Sequence, residues 1–122
     1  MEFTQTNLGA MLATISESDL DVADFGIIKL ASCGRVEFYN RYESELAGLS
    51  PDQVKGKNFF TQVAPCTNNY MVSHKFHEAV ENDTDLDETI DYVFTYKLKP
   101  TNVQLRLLKQ QNQQWLCVYK KK

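Results

Sequence analysis

The chain has 122 residues, of which 43% are hydrophobic and 24% charged, and its formal net charge at pH 7 is -3. This length predicts one domain, and the composition is that of a globular protein rather than a disordered one. The acidic balance argues against nucleic-acid binding, and neither a signal-peptide pattern nor an apolar run near the roughly 20 residues of a membrane span is present, so we expect a cytoplasmic protein.

The first predicted element is an amphipathic helix near the N-terminus. Its apolar residues recur at i, i+3, i+4 and i+7, namely Leu8, Met11, Leu12 and Ile15. This spacing places one apolar stripe along the helix, and Thr6 or Asn7 is available as its N-cap. Acidic and small residues follow at 16–21. We therefore expect residues 1–24 to form an N-terminal cap and residues 25–122 to form the core of a single domain.

A hairpin is predicted after the cap. Residues 25–30 and 35–39 have the composition of two strands. The turn between them is Ala31-Ser32-Cys33-Gly34, in which Gly34 is free to take a positive φ. The two segments therefore predict an antiparallel strand pair.

Short helices are predicted after the hairpin. Asn40 can cap a helix that runs to Ala47 and ends at Gly48. The Ser-Pro-Asp-Gln sequence at 50–53 is a capping-box pattern with proline at the first helical position, and it predicts a second short helix that Gly56 ends.

One longer helix and three strands complete the predicted elements. Residues 71–82 have a helical pattern whose apolar face is formed by Val72, Phe76, Ala79 and Val80. The stretch at 81–88 is acidic and typical of a turn. Beyond it, apolar side chains alternate with period two in three segments, at residues 90–98, 103–107 and 115–119. This alternation predicts three antiparallel strands joined by hairpins.

The order of these elements predicts the fold class. A helix, two strands, several short helices, one longer helix and three strands give an α+β domain. We expect a five-stranded antiparallel sheet with helices on one face and an N-terminal helical cap, which is the order of elements of the PAS fold.

The residues that suggest chemistry are a thiol, a phenol and a carboxyl group. Pro65 fixes its own φ and biases Ala64 toward an extended conformation, so a stiff loop presents the Cys66 thiol. Tyr39 ends a predicted strand, and Glu43 lies in the first turn of the helix that follows. The phenol and the carboxyl group could converge on one acceptor. The spacing leaves open whether Cys66 faces them.

These residues stand in a pattern that resembles the photoactive yellow protein family. Its most specific part is the run Gly56-Lys57-Asn58-Phe59-Phe60, followed after two variable positions by Val63-Ala64-Pro65-Cys66-Thr67. Tyr39 and Glu43 precede this run at the family's spacing, and the resemblance extends over residues 25–119. It implies a PAS-domain blue-light photoreceptor, which is a sensory protein rather than an enzyme.

The resemblance also implies a chromophore and a light-driven mechanism. In the family, the cysteine at the Cys66 position carries p-coumaric acid (4-hydroxycinnamic acid) as a thioester. The residues at the positions of Tyr39 and Glu43 hydrogen-bond the phenolate oxygen, with the carboxyl group kept neutral. Light isomerises the chromophore from trans to cis, Glu43 gives its proton to the phenolate oxygen, and the N-terminal cap partly unfolds to signal.

Further residues match positions near the chromophore, although core packing is the competing role for each. They are Ile28 or Leu30, Phe59, Val63, Ala64, Pro65, Thr67, Phe94 and Tyr96. Three residues depart from the family's usual pattern. Ala47 stands where a supporting Thr is common, Leu49 where an Arg commonly covers the pocket, and Leu98 where a Met commonly contacts the chromophore. We expect Ala47 to alter the absorption maximum and Leu98 to slow dark recovery.

The remaining cysteines and the histidines suggest no second site. Cys33, Cys66 and Cys117 are an odd number without metal-type spacing, which argues against a disulfide framework or a zinc site. We expect Cys33 to be a surface thiol and Cys117 a core residue. His74 and His77 are spaced i, i+3, but the sequence offers no clear third ligand, so we expect no metal.

Two functions from different classes remain. The first is the covalent light receptor, and the alternative is a non-photoactive PAS module that binds a ligand or another protein. For the receptor we expect a small-molecule chromophore, a monomer, and a separate downstream protein partner, since the sequence contains no recognisable output domain.

Overall fold

The structure is a computed structural model that describes residues 1–95, 100–110 and 112–121. Its helices are α1 (Leu8–Leu12), α2 (Glu17–Asp21), α3 (Arg41–Ala47), α4 (Pro51–Val54) and α5 (Ser73–Glu81). A π-helical turn at Phe59–Val63 and a 3₁₀ turn at Pro65–Thr67 lie between α4 and α5. The strands are β1 (Gly26–Leu30), β2 (Val36–Tyr39), β3 (Leu86–Phe94), β4 (Thr101–Gln110) and β5 (Gln113–Lys120).

The strands form one sheet in the order β2-β1-β5-β4-β3. Every neighbouring pair is antiparallel, including β1 against β5, which lie at opposite ends of the chain. The predicted five-stranded antiparallel sheet and the α+β class are confirmed.

Each face of the sheet carries its own hydrophobic cluster. Because Val118 pairs with Leu105, these two side chains share a face with the helices that follow β2. We call this group the helix-side cluster; its buried members include Ile28, Leu30, Tyr39, Ala47, Phe59, Val63, Ala64, Phe76, Phe94, Val103, Leu105, Leu107, Leu116 and Val118. The cap-side cluster on the other face consists of Phe3, Leu8, Leu12, Leu20, Phe25, Ile27, Leu108, Trp115 and Cys117.

Strand β5 is buried on both faces. The period-two pattern at 115–119 identified only the face that carries Trp115 and Cys117, whereas Leu116 and Val118 are also fully buried. A strand covered on both sides needs apolar residues throughout, so alternation describes it incompletely.

The N-terminal cap packs on the second face through a shorter helix than predicted. Helix α1 ends at Leu12; Leu8 and Leu12 are buried, while Met11 and Ile15 are half-buried. A second helix, α2, was not predicted; it begins after Ser16, whose hydroxyl accepts a hydrogen bond from the Asp19 N–H at 3.3 Å. This N-cap divides the cap into two short helices.

The predicted helix caps and the predicted hairpin turn between β1 and α4 are confirmed. Asn40 accepts a hydrogen bond from the Glu43 N–H at 3.2 Å and starts α3, and Gly48 ends it at a φ of 72°. The capping box at Ser50 is present, and Gly34 turns the hairpin at a φ of 93°. These caps and this turn depend on neighbouring residues alone, so the local sequence is enough to predict them.

Two elements begin at a different residue than predicted, the first because of a local hydrogen-bonded turn and the second because of strand pairing. Helix α5 begins at Ser73 rather than 71, since the Asn69 side chain accepts hydrogen bonds from the backbone N–H groups before it. Strand β3 begins at Leu86 rather than 90, because the acidic stretch pairs with β4 as far as Lys109. The predicted continuation of β3 through 96–98 lies outside the described residues.

No helix among the described residues is long and apolar enough to cross a membrane.

Candidate functional site

A buried phenol and a buried carboxyl group lie side by side where β2 meets α3. Tyr39 is the last residue of β2 and Glu43 lies in the first turn of α3; they are 2% and 0% exposed. The Tyr39 hydroxyl donates to Glu43 Oε2 at 3.5 Å, longer than the usual about 2.5–3.0 Å of such a bond. Burial raises the pKa of Tyr39 well above its ordinary value, and the neighbouring Glu43 carboxyl raises it further. The phenol therefore stays protonated at neutral pH and is available as a donor.

Gly26 in β1 provides the space for the Glu43 side chain. A Cβ at this position would lie 2.5 Å from Glu43 Oε1 and 3.1 Å from Val118 Cβ. Our sequence reasoning missed this residue. The available signal was a glycine inside a strand, which often marks the close approach of another group.

Asn40 connects the helix of Glu43 to the cap. Its Oδ1 accepts hydrogen bonds from the backbone N–H groups of Ile27, at 2.9 Å, and Glu43, at 3.2 Å. Its Nδ2 donates to the carbonyl oxygens of Leu20, at 3.0 Å, and Phe25, at 2.9 Å. Asn40 is 0% exposed, so these bonds form in a dry interior. The sequence predicted the N-cap, but it did not indicate the bonds to Leu20 in the cap and to Phe25 at the start of the core.

The loop that carries Cys66 is held by several hydrogen bonds. Asn58 accepts hydrogen bonds from two backbone N–H groups of the π-helical turn, and its Nδ2 donates to the Cys33 carbonyl at 2.9 Å. The turn closes with the Ala64 N–H donating to the Phe59 carbonyl at 2.7 Å. The hydroxyl of Thr67 then donates to the Ala64 carbonyl at 2.7 Å, so the cysteine lies inside a hydrogen-bonded 3₁₀ turn that directly follows the π-helical turn.

Two side chains from outside that loop hold the backbone carbonyl of Cys66. The hydroxyl of Tyr92 in β3 donates to it at 2.5 Å, and Asn69 Nδ2 donates to it at 3.1 Å. Asn69 Nδ2 also lies 2.6 Å from the Tyr92 hydroxyl. The sequence identified neither residue with the site, because Tyr92 appeared only as one apolar position in an alternating strand.

Most of the predicted site residues converge on the helix-side cluster. Its buried members include Tyr39, Ala47, Phe59, Val63, Ala64 and Phe94, as well as both Ile28 and Leu30. Leu49 and the half-buried Cys66 pack against it. Thr67 is fully buried, whereas Pro65 is exposed. Tyr96 and Leu98 lie outside the described residues, and the role of every member toward a chromophore stays a prediction.

The other two thiols lie in different environments. Cys33 is exposed in the hairpin turn and Cys117 is buried in the cap-side cluster, as predicted for both. Burial raises the pKa of Cys117 well above its ordinary value, so this thiol stays protonated. Cys66 is therefore the thiol that is both partly accessible and on the same face as Tyr39.

The two histidines of α5 point away from this site. His74 Nε2 lies 3.2 Å from Glu78 and His77 Nε2 lies 2.9 Å from Glu81, and all four side chains are exposed. Among the described residues, no group of three or more potential ligands is placed to hold a metal ion.

Comparison with known proteins identifies the family. No protein-family model matches the chain. It is 37% identical over 107 residues to photoactive yellow protein of Rhodothalassium salexigens, an alignment that covers 88% of this chain and 85% of that protein. The chain belongs to the photoactive yellow protein family. The resemblance inferred from the sequence is thereby confirmed.

Two solved structures are similar in fold to this chain. The photoactive yellow protein domain of the sensor histidine kinase Ppr from Rhodospirillum centenum superposes with a TM-score of 0.83 at 34% identity, over 91% of this chain and 98% of that domain. The PAS domain of the RpfR quorum-sensing receptor from Cronobacter turicensis has a TM-score of 0.65 at 17% identity, over 82% and 96%. The second likeness concerns the fold alone. The chain is a photoreceptor domain with the PAS fold, as predicted.

Proposed function

We propose that this chain is a blue-light receptor that carries p-coumaric acid as a thioester on Cys66. The observation that carries the proposal is the buried Tyr39–Glu43 pair on the face of the sheet against which the Cys66 loop packs. Membership of the photoactive yellow protein family supports it. The finer features of the proposal are the identity of the chromophore, its attachment, the proton transfer and the response of the cap.

The donor groups present suit a buried aromatic anion. A negative oxygen in an apolar interior is strongly unfavourable unless hydrogen bonds compensate it. A phenol and a neutral carboxyl group each contribute roughly 1.5–3 kcal/mol as donors to a charged acceptor. Because the Tyr39–Glu43 bond is long, a stronger acceptor can replace it at little cost. Tyr39 and Glu43 would hold the phenolate oxygen, and Cys66 would hold the acyl group.

When bound, the thioester supplies an absorber of blue light that isomerises from trans to cis. The residues of the chain then determine the response. Glu43 is the proton donor within this site, and it has no exposed surface through which water could solvate the carboxylate that remains. Keeping an ionised carboxylate away from water costs several kcal/mol, so we expect the structure around α3 to rearrange and relieve that cost.

Asn40 is the route by which that rearrangement would reach the cap. It binds the Glu43 N–H on one side and the Leu20 and Phe25 carbonyls on the other, so a shift of α3 strains the bonds to the end of the cap. The apolar residues Leu8 and Leu12 would then leave the sheet, exposing the cap-side cluster around Trp115. We propose that this newly exposed surface signals to a separate downstream protein.

We propose that residues 1–24 and 25–122 act as cap and core of one domain, in a cytoplasmic monomer that senses light and does not act as an enzyme. The sensory nature of photoactive yellow protein relatives supports the last point.

Reconstitution tests the proposal directly. The protein is mixed with an activated derivative of p-coumaric acid, and the visible spectrum is followed in light and darkness. We expect a blue band that bleaches and returns in the wild type and in Cys33→Ala, but not in Cys66→Ala. Intact mass before and after mild base reports the release of the acyl group from Cys66. A folded wild-type protein that stays colourless would contradict the receptor and support the alternative of a non-photoactive PAS module.

A further inference from the structure

The backbone carbonyl of Cys66 is bound by a triangle of side-chain hydrogen bonds. Tyr92 and Asn69 both donate to this oxygen, at 2.5 Å and 3.1 Å, and Asn69 Nδ2 also donates to the Tyr92 hydroxyl at 2.6 Å. Connected hydrogen bonds of this kind strengthen one another in a partly desolvated environment. The peptide group that follows Cys66 is therefore fixed from two directions.

Both donors are themselves held by regular structure. Tyr92 lies in β3 opposite Val103, and its ring packs edge-on against Phe94 with a centroid separation of 6.0 Å. Burial raises the pKa of Tyr92 above its ordinary value, so its hydroxyl keeps the proton that it donates. Asn69 Oδ1 accepts hydrogen bonds from the N–H groups of Met71, at 2.9 Å, and Val72, at 3.2 Å, which orients its amide N–H groups toward Cys66 and Tyr92.

We propose that Tyr92 and Asn69 are positioning residues that fix the direction of the Cys66 side chain by holding its backbone carbonyl against β3. The inference rests on the proposed function, because it assigns these residues to the thiol that would carry the acyl group. The 3₁₀ turn fixes Cys66 relative to its own loop, whereas the triangle fixes that loop relative to the sheet. A site on a loop, rather than on a helix or strand, needs such support to keep its geometry within about 0.5 Å.

An anchor of this kind matters for a light-driven site. If the Cys66 peptide group could rotate, a change of shape in the attached group would move the attachment point rather than the contacts with Tyr39 and Glu43. Holding the carbonyl to the sheet directs the displacement toward the other end of the site. Tyr92 and Asn69 act through Cys66 and do not need to touch the chromophore.

The test uses Tyr92→Phe, with Tyr70→Phe as the matched control, since Tyr70 is 77% exposed. In protein without chromophore, cysteine labelled with ¹³C at the carbonyl gives infrared bands that report hydrogen bonding at that oxygen. We expect Tyr92→Phe to shift one band upward and Tyr70→Phe to shift none. Alkylation of Cys66 by iodoacetamide, measured against the exposed Cys33 in the same sample, should become roughly two- to tenfold faster, as the loss of one hydrogen bond allows.

Asn69→Asp provides a second variant should Tyr92→Phe fold poorly. An aspartate keeps an oxygen for the Met71 and Val72 N–H groups but loses both donors, so the same band shift and faster alkylation are expected. In chromophore-loaded protein, both variants should release the acyl group to hydroxylamine faster than the Tyr70→Phe control.

The outcomes separate this inference from the proposed function. If the infrared bands and the alkylation ratio of both variants equal those of the wild type, the positioning role is wrong whatever the colour of the loaded protein. Unchanged hydroxylamine sensitivity in coloured variants would also overturn it. A protein that takes up no chromophore contradicts the proposed function, and the chromophore-free measurements then decide the positioning role alone.

Discussion

Arg106 provides the sharpest test of how the cap is held. It lies on β4 with its side chain 7% exposed, and its Nη1 donates to the carbonyl oxygens of Phe3, at 2.9 Å, and Gln5, at 2.7 Å. Nε and Nη2 donate to the two carboxylate oxygens of Asp87, both at 2.9 Å. One buried guanidinium thus joins the first residues of the cap to the sheet.

The effect of Arg106→Met follows from these contacts. The methionine keeps most of the aliphatic packing and removes the two bonds to the cap. A buried bond from a charged donor contributes up to roughly 3 kcal/mol, but both carbonyls regain water when the cap opens, so about 1 kcal/mol each is a reasonable net value. The ion pair with the half-exposed Asp87 contributes little to the free energy of cap closure. A total of about 2 kcal/mol corresponds to a roughly 30-fold larger population of the open cap.

Two observables report this population. The N–H of Ile15, bonded to the Met11 carbonyl at 3.1 Å, should exchange with solvent roughly 30-fold faster in Arg106→Met. Trp115 is the single tryptophan of the chain and is 3% exposed beneath the cap, so the red shift of its emission in a urea titration should begin at lower urea in Arg106→Met. Arg35→Met, whose side chain is 55% exposed, is the matched control. Equal exchange rates in the two variants would refute the role given to Arg106.

Three further predictions concern the site itself. Gly26→Ala should lower the free energy of unfolding by roughly 1–3 kcal/mol in urea titrations, because the new Cβ lies 2.5 Å from Glu43 Oε1; Gly9→Ala, whose contact is only the end of a flexible glutamine, should not. Since the pKa of Tyr39 is raised on folding, its contribution to stability is complete below about pH 10 and is lost at higher pH. Tyr39→Phe should therefore retain more of its stability above pH 10 than the wild type, and parallel urea midpoints would contradict this. Ala47→Thr should move the absorption maximum of the reconstituted protein, since residue 47 packs in the same cluster as Tyr39, and an unmoved maximum would remove that idea.

The parts of the fold that depend on neighbouring residues were predictable. Asn40, Gly48 and Ser50 start or end helices through hydrogen bonds to residues a few positions away. The local sequence is therefore enough to predict these helix ends. The early start of β3 was not predictable in this way. Its acidic residues belong to the sheet because they pair with β4 and because Asp87 meets Arg106, and those partners are distant in sequence.

The candidate site was also predictable only in part. The resemblance supplied Tyr39, Glu43 and Cys66, and the structure places their side chains in or against the interior on the helix side of the sheet. The sequence did not reveal the role of Gly26 or the Asn40 bonds to Leu20 and Phe25. Space for a side chain and bonds between residues distant in sequence are properties of the folded chain. The role of Tyr92 was not indicated either, since nothing local distinguishes a hydroxyl that reaches a carbonyl from one that reaches water.

The proposed light response requires Glu43 to be uncharged in the dark and to lose its proton in the light. The most direct measurement is the light-minus-dark infrared difference spectrum of the reconstituted protein, recorded beside Glu43→Gln. We predict a negative band of a protonated carboxyl group in the wild type that is missing in the variant. Photobleaching without such a band, or the same band in both proteins, would contradict the central role of this residue.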